Sequence, residues 1–378
     1  MNELEQYLLS KGQEYRNFNP NRAINIYVKL KENLAKIPQT IQIIGTNGKG
    51  TSGRFLSLAL LQKGYKVLHF TSPHIFRFNE RFYKNGNIIS DEELLKAHRY
   101  LMQFDFIKEA SYFEYATFLA LYLSMDVDYL ILEAGVGGEY DSTSVIERNL
   151  VLFTLIDFDH QEMLGESIES IAKTKLNAMK NTAILGIQKH NIVQDIAKNI
   201  AFTKDINLHI LDSVLNDAMT YVSKNNMPYF LAENLSLALK ALDILDIEFD
   251  ISLLPKLDLM GRFQSIRDNI IIDVGHNKSA AFAIKENLKD KKVMLVYNSY
   301  LQKNIKEILE ILKDNILRLE IIEIKDNPRI INKIDLIKIL DELKIPYSDF
   351  KCIDESKDYL VFGSFSVIER FMREFYEK

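Results

Sequence analysis

The segment Gly45-Thr46-Asn47-Gly48-Lys49-Gly50-Thr51-Ser52 follows a short apolar run at 41–44 and opens into an amphipathic stretch at 52–63. Three glycines let successive backbone N–H groups curl around phosphate oxygens, and a helix start adds partial positive charge. Lys49 supplies a compact cation and Thr51 a hydroxyl able to reach Mg²⁺. Asn47, Gly48, Lys49, Gly50 and Thr51 are therefore candidate holders of an ATP triphosphate. The spacing departs from the standard phosphate loop, which wants Gly at 43 and Ser or Thr at 50, where this chain has Ile43 and Gly50. A glycine turn that merely contains a lysine is the bland alternative. The order of strand, loop and helix argues against it.

Other polar residues stand directly after apolar runs. Ser72 follows the run ending at Phe70, Glu133 ends a run at 129–132 before a glycine-rich turn, and Asp157, Asp159 and His160 follow a run ending at Ile156. Each has an ordinary reading by itself: a turn residue before Pro73, a cap, a surface histidine. Together, Thr51, Ser72, Glu133 and His160 place four oxygen or imidazole donors at one sheet edge, which suits a Mg-nucleotide site. Lys175 shares the apolar stripe of Ile168, Ala172 and Met179, where a snorkelling stem is the default explanation. Further on, Asp273 ends an apolar run and Arg262 precedes it by eleven residues. The first could accept from ribose hydroxyls and the second could reach phosphate if two domains close on a nucleotide.

Elements must hold these groups, and the patterns supply them. Apolar runs at 41–44, 66–70, 128–132 and 150–156 alternate with helical patterns at 52–63 and 112–124, Gly64 capping the first of these. Such alternation predicts a parallel sheet covered by helices on both faces, with ligands beyond the carboxyl ends of its strands. The pattern loosens near 251–260. A second series follows, with strands expected at 269–273, 292–297, 318–324 and 358–362 and helices at 305–312 and 333–343. The expected fold is α/β, with a P-loop-containing parallel-sheet N-terminal domain over 1–259 and a smaller Rossmann-type domain over 260–378.

Composition bounds the function. A chain of 378 residues suits two domains at about 150 residues each. Lys and Arg total 47 against 52 Asp and Glu, a net charge of -5, so no overall basic field exists to grip nucleic acid or an anionic membrane. Cys352 is the only cysteine, which excludes an intramolecular disulfide and a thiolate zinc site. No leader pattern opens the chain and no apolar run approaches the ~18 residues of a membrane span, so a cytoplasmic protein is expected; a monomer is the separate expectation for its assembly.

Taken together these motifs resemble the folylpolyglutamate synthase and dihydrofolate synthase family of the Mur ligase superfamily. The resemblance rests on 45–51, on Thr71-Ser72-Pro73-His74 with Arg77-Phe78-Asn79-Glu80-Arg81, and on 132–138 with Asp141-Ser142-Thr143. It continues through Asp159-His160, Lys175, Gly261-Arg262-Phe263, 273–277 and Gly363-Ser364-Phe365, nearly the whole chain. It implies an ATP-dependent ligase that adds L-glutamate to dihydropteroate or a reduced folate through an acyl phosphate. Carried over, Gly48, Lys49, Gly50 and Thr51 hold the triphosphate, and Ser72, Glu133 and His160 bind Mg²⁺, two ions being expected. Lys175 matches a lysine carbamylated in the family, and Asn234, Arg262 and Asp273 match nucleotide contacts. His276 matches a position near the reacting groups, and His74, Phe113, Glu114 and Asp141 match the substrate region. Glu139, Ser144, Lys278 and Ser366 depart from the family pattern, mostly toward the substrate end. A cell-wall Mur ligase is the nearest rival; the 44 residues before Gly45 leave little room for its UDP-sugar domain. A nucleotide-dependent switch is the rival from another class, but no Asn-Lys-x-Asp motif is present.

Overall fold

The computed structural model describes residues 2–12, 19–325 and 327–376. The chain divides into two compact units, one of Met1–Asn225 with Leu231–Leu257, the other of Asn226–Phe230 with Asp258–Lys378.

Among the described residues of the first unit, eight strands form one sheet. They are β1 (Gln39–Ile44), β2 (Val67–Phe70), β3 (Phe82–Lys84), β4 (Asn87–Ile88), β5 (Tyr129–Glu133), β6 (Leu150–Phe153), β7 (Thr182–Leu185) and β8 (Asn207–Ile210), in the order β4-β3-β2-β5-β1-β6-β7-β8. The six strands from β2 to β8 in that order pair parallel, and β3 and β4 add an antiparallel edge that apolar alternation did not predict. The helix Lys49–Gln62 is buried from Gly50 to Leu60 and packs on β1, β2 and β5. Nearly all of its circumference is inside, as a central helix in an α/β layer requires. Leu68, Phe70, Leu130 and Leu132 join the helices Asp91–Leu101 and Tyr112–Leu123 in one apolar cluster. Val151, Phe153, Ala183 and Leu185 join Ile168–Leu176 and Asn191–Thr203 in another.

The second unit carries β9 (Gln264–Arg267), β10 (Ile270–Asp273), β11 (Val293–Tyr297), β12 (Ile316–Ile321), β13 (Tyr347–Asp349) and β14 (Tyr359–Phe362), ordered β13-β12-β11-β14-β10-β9. Among these strands only β9 pairs antiparallel. Its core packs Leu295, Leu319 and Leu360 against helices Lys278–Leu288, Ile305–Leu312 and Lys333–Leu343. Phe230, from the short upstream piece, sets its ring 6.5 Å from that of Phe263.

Two boundaries differ from the sequence expectation in ways that matter for the site. The helix expected over 52–63 begins at Lys49, because Gly48 adopts a left-handed φ of 88° and starts the helix inside the loop. The strand expected over 150–156 ends at Phe153. Beyond it the backbone leaves regular pairing, so Asp157 and His160 lie on an irregular segment rather than directly at a strand end. No described helix is long and apolar enough to cross a membrane.

Candidate active site

Parallel pairing fixes which groups share an edge. In the sheet β2, β5, β1 and β6 are successive neighbours, with Phe70 beside Leu132, Ile43 beside Glu133 and Ile44 beside Phe153. Their carboxyl ends therefore deliver Ser72, Glu133, the 45–51 loop and the 154–160 segment to one rim.

The loop is held from several sides. Lys49 Nζ donates to the carbonyls of Gly45 at 3.3 Å and Thr46 at 3.4 Å, and lies 3.9 Å from Glu133 Oε1. The other oxygen of Glu133 accepts the Ser72 N–H at 3.1 Å. Gly48, as the N-cap residue, supplies no side-chain acceptor of its own to the first-turn N–H groups, an arrangement that favours an anion. A Cβ on Gly48 would overlap the amide of Asn234, and Asn234 Oδ1 also lies 3.5 Å from Ser52 Oγ. Thr51 is buried in the helix's first turn.

Lys175 lies on the helix Ile168–Leu176, 4 % exposed, and its Nζ donates to the Gly45 carbonyl at 3.0 Å. It does not reach water, so the snorkelling explanation fails. Burial, and then the charge of Lys49, lower its pKa to about 7, with Asp159 and Asp141 pulling the other way. His160 takes a left-handed φ of 49°, with Nδ1 3.5 Å from Glu162 and Nε2 4.0 Å from Asp159. Among the described residues no group of three or more His, Cys, Asp or Glu is placed to hold a metal. A cation at this rim would therefore share hydroxyl donors and substrate phosphates, the usual habit of Mg²⁺.

The expected substrate residues divide. His74 Nδ1 accepts from Arg81 Nε at 3.0 Å, and burial, then the guanidinium, push its pKa down to about 3. The imidazole is thus neutral and carries its hydrogen on Nε2. Phe113 packs against Gly135, where a Cβ would stand 2.8 Å from the ring. Glu114 is occupied structurally: it accepts Arg22 Nε at 2.7 Å and the Ser111 N–H at 2.7 Å in a capping box. Asp141 accepts the N–H groups of Gly135, Val136 and Thr143 and the Thr143 hydroxyl, which ties the glycine turn after β5. Burial pushes its carboxyl up while those donors oppose the shift.

Arg262, Asp273 and His276 belong to the second unit. Asp273 ends β10 and accepts the N–H groups of Phe263 at 2.8 Å and Gly275 at 2.7 Å, so it binds two turns together. Burial raises its pKa against those bonds and the nearby Arg262. The Arg262 guanidinium lies 5.5 Å from the Phe365 ring centre, and His276 Nδ1 pairs with the Val274 carbonyl at 3.1 Å.

Sequence reasoning gave no role to Arg81, which is 2 % exposed and spans the rings of Phe78 and Tyr112. Its position inside the 77–81 signature was the available signal. It also missed Thr46, whose hydroxyl donates to the Asp157 carbonyl at 2.9 Å and accepts the Asp157 N–H at 3.0 Å.

No family model matches the chain. It is similar over 99% of its length to the crystal structure of Helicobacter pylori folylpolyglutamate synthetase, with 40% identity, 98% of that chain covered and a TM-score of 0.82. A curated relative, the dihydrofolate synthase/folylpolyglutamate synthase of Buchnera aphidicola from Schizaphis graminum, is 29% identical over 360 residues, 87% of this chain and 86% of that protein. The bifunctional folylpolyglutamate synthase/dihydrofolate synthase of Yersinia pestis, crystallised with AMPPNP and a Mn ion, shares the fold at 24% identity and a TM-score of 0.83, covering 98% and 96% of the two chains.

Proposed function

The chain belongs to the folylpolyglutamate synthase/dihydrofolate synthase family of ATP-dependent ligases, and on that premise we propose that it joins the amine of L-glutamate to the carboxylate of dihydropteroate or a reduced folate. The ATP γ-phosphoryl group passes to a carboxylate oxygen, giving ADP and an acyl phosphate. The glutamate nitrogen then bonds to the acyl carbon, the C–O bond to phosphate breaks, and the amine proton is lost. The relatives are folate ligases, which removes the cell-wall ligase alternative.

Two anions must meet, so the protein's task is charge neutralisation and alignment. The supporting observation is the rim itself, where Lys49 of the glycine loop faces Glu133 at 3.9 Å and Glu133 is tied to Ser72. Asn47, Gly48, Gly50 and Thr51 would orient the triphosphate with Lys49, and Asn234 would fix the loop's turn at Gly48. The hydroxyls of Thr51 and Ser72 and the carboxylate of Glu133 are hard oxygen donors, and His160 adds an imidazole. That donor set fits Mg²⁺ or Mn²⁺, with two ions proposed. The metal would supply charge shielding between phosphate oxygens. His74, Phe113, Asp141 and His276 are proposed for the acceptor and reacting ends. Glu114 is assigned instead to helix capping and Arg22, since its carboxylate is already engaged there.

Lys175 is proposed to act as a carbamate. A pKa of about 7 leaves a large neutral fraction near physiological pH, and a neutral amine bonds to the carbon of CO₂ with loss of a proton, leaving an anionic oxygen donor beside the loop.

ADP release measured with ATP and glutamate, and separately with dihydropteroate or a reduced folate monoglutamate, tests the reading. Release that requires both glutamate and a pterin acceptor is expected. Release independent of either would overturn it.

A further inference from the structure

The phosphate loop rests on a segment that regular pairing does not hold. After β6 ends at Phe153, Gly186 N–H still donates to the Phe153 carbonyl at 2.8 Å, and there the strands part. Gln188 closes the gap with its side chain. Its Oε1 accepts the Ile156 N–H at 2.9 Å, and its Nε2 donates to the carbonyls of Thr154 at 3.1 Å and Gly186 at 2.9 Å. One amide thus replaces a stretch of strand for the 154–156 backbone. Two residues on, His190 Nε2 pairs with Asp157 Oδ1 at 3.2 Å, while the same oxygen accepts the Phe158 N–H at 2.8 Å. The clipped segment then grips the loop at one residue: Thr46 N–H donates to the Leu155 carbonyl at 2.8 Å, and the Thr46 hydroxyl exchanges two hydrogen bonds with the Asp157 backbone. The approach is close, since a Cβ on Gly45 would overlap Thr154 Oγ1.

We propose that Gln188 and His190 are positioning residues for nucleotide turnover, acting through the 154–157 segment and Thr46 to hold the phosphate loop in its phosphate-accepting form. They touch no reacting group; they set the place of the loop that does. The proposal rests on the reading of 45–51 as the ATP loop. A loop displaced by a fraction of an ångström misaligns the γ-phosphate, and such misplacement by a remote change is expensive in rate.

A double-mutant cycle in the full chain tests this, read by binding of a fluorescent ADP analogue and by kcat and KM for ATP, glutamate and dihydropteroate. Gln188→Leu, His190→Ala and Thr46→Val are each expected to weaken nucleotide affinity by about tenfold, with KM for glutamate and dihydropteroate within twofold. Thr46→Ser keeps the hydroxyl and should restore affinity. Because His190 acts through Thr46, adding His190→Ala to Thr46→Val should change little, whereas independent structural damage would add. If Gln188→Leu fails to fold, the milder His190→Ala and the cycle still decide. Normal nucleotide affinity in His190→Ala together with lost affinity in Lys49→Ala would overturn the positioning proposal alone. Normal affinity in Lys49→Ala would overturn the ATP-loop reading beneath it.

Discussion

Lys49 and Glu133 approach to 3.9 Å, near enough for strong attraction in a site with little water yet outside hydrogen-bond length. A lysine so placed can turn to phosphate at small expense, and its removal should be felt in the reaction rather than in the fold. Lys49→Ala and Thr51→Ala are each expected to lower ligase turnover by about 100-fold or more while leaving secondary structure intact, checked by ADP release and circular dichroism. Lys175 carries a different signature. Its pKa of about 7 in the folded chain lies below the ordinary 10.5, so the unfolded chain binds the extra proton between those values and stability rises with pH across that window. Below about pH 7 the full cost of a buried ammonium is present. Lys175→Met should therefore raise Tm most at pH 6 and least near pH 10 in CO₂-free buffer, and bicarbonate should shrink the low-pH difference if the amine is carbamylated. Lys175→Ala should lose most turnover and regain part of it with a short carboxylic acid. No pH dependence of the Tm difference would contradict the buried amine. At this scale the loop was legible because glycine, lysine and threonine sit within a few residues of one another. The engagement of Glu114 with Arg22 was not, since the partners are 92 positions apart and nothing local marks the pairing.

Gly48 shows how an element boundary does chemical work. Its φ of 88° turns the chain so that the helix starts at Lys49, three residues before the apolar pattern begins. An L side chain there meets both the left-handed penalty, about 1–2 kcal/mol, and the Asn234 amide. Gly48→Ala is expected to lower Tm by about 2–4 °C and to weaken nucleotide binding by more than that stability loss explains, measured by calorimetry and titration. An unchanged nucleotide affinity would show that the turn is not part of the binding surface. The central strands were readable as apolar runs followed by polar residues. β7 and β8 were not singled out; β8 is a partly exposed edge strand in which Asn207 and His209 interrupt the apolar run. The end of β6 was misjudged for a physical reason: Leu155 and Ile156 are apolar, but their backbone is satisfied by Thr46 and by the Gln188 side chain instead of a neighbouring strand.

The molecule as a whole carries a net charge of -5, although its proposed substrates are anions. Attraction must therefore come from local groups such as Lys49, and turnover should depend on ionic strength less than that of a broadly basic protein. Both dihydropteroate and a reduced folate monoglutamate are expected to support turnover under the proposed function. Turnover with only one acceptor under saturating ATP and glutamate would refute this. The boundary expected near 260 came from a loosening of pattern, but the assignment of Asn226–Phe230 to the second unit had no signal in composition or period. That assignment means the chain passes between units three times, after Asn225, after Phe230 and after Leu257. A cut at 257 would separate Phe263 from the Phe230 ring beside it. The second unit is therefore ill suited to travel as a cassette. A gene fusion that transplants 258–378 alone leaves Phe230, one piece of its aromatic packing, behind.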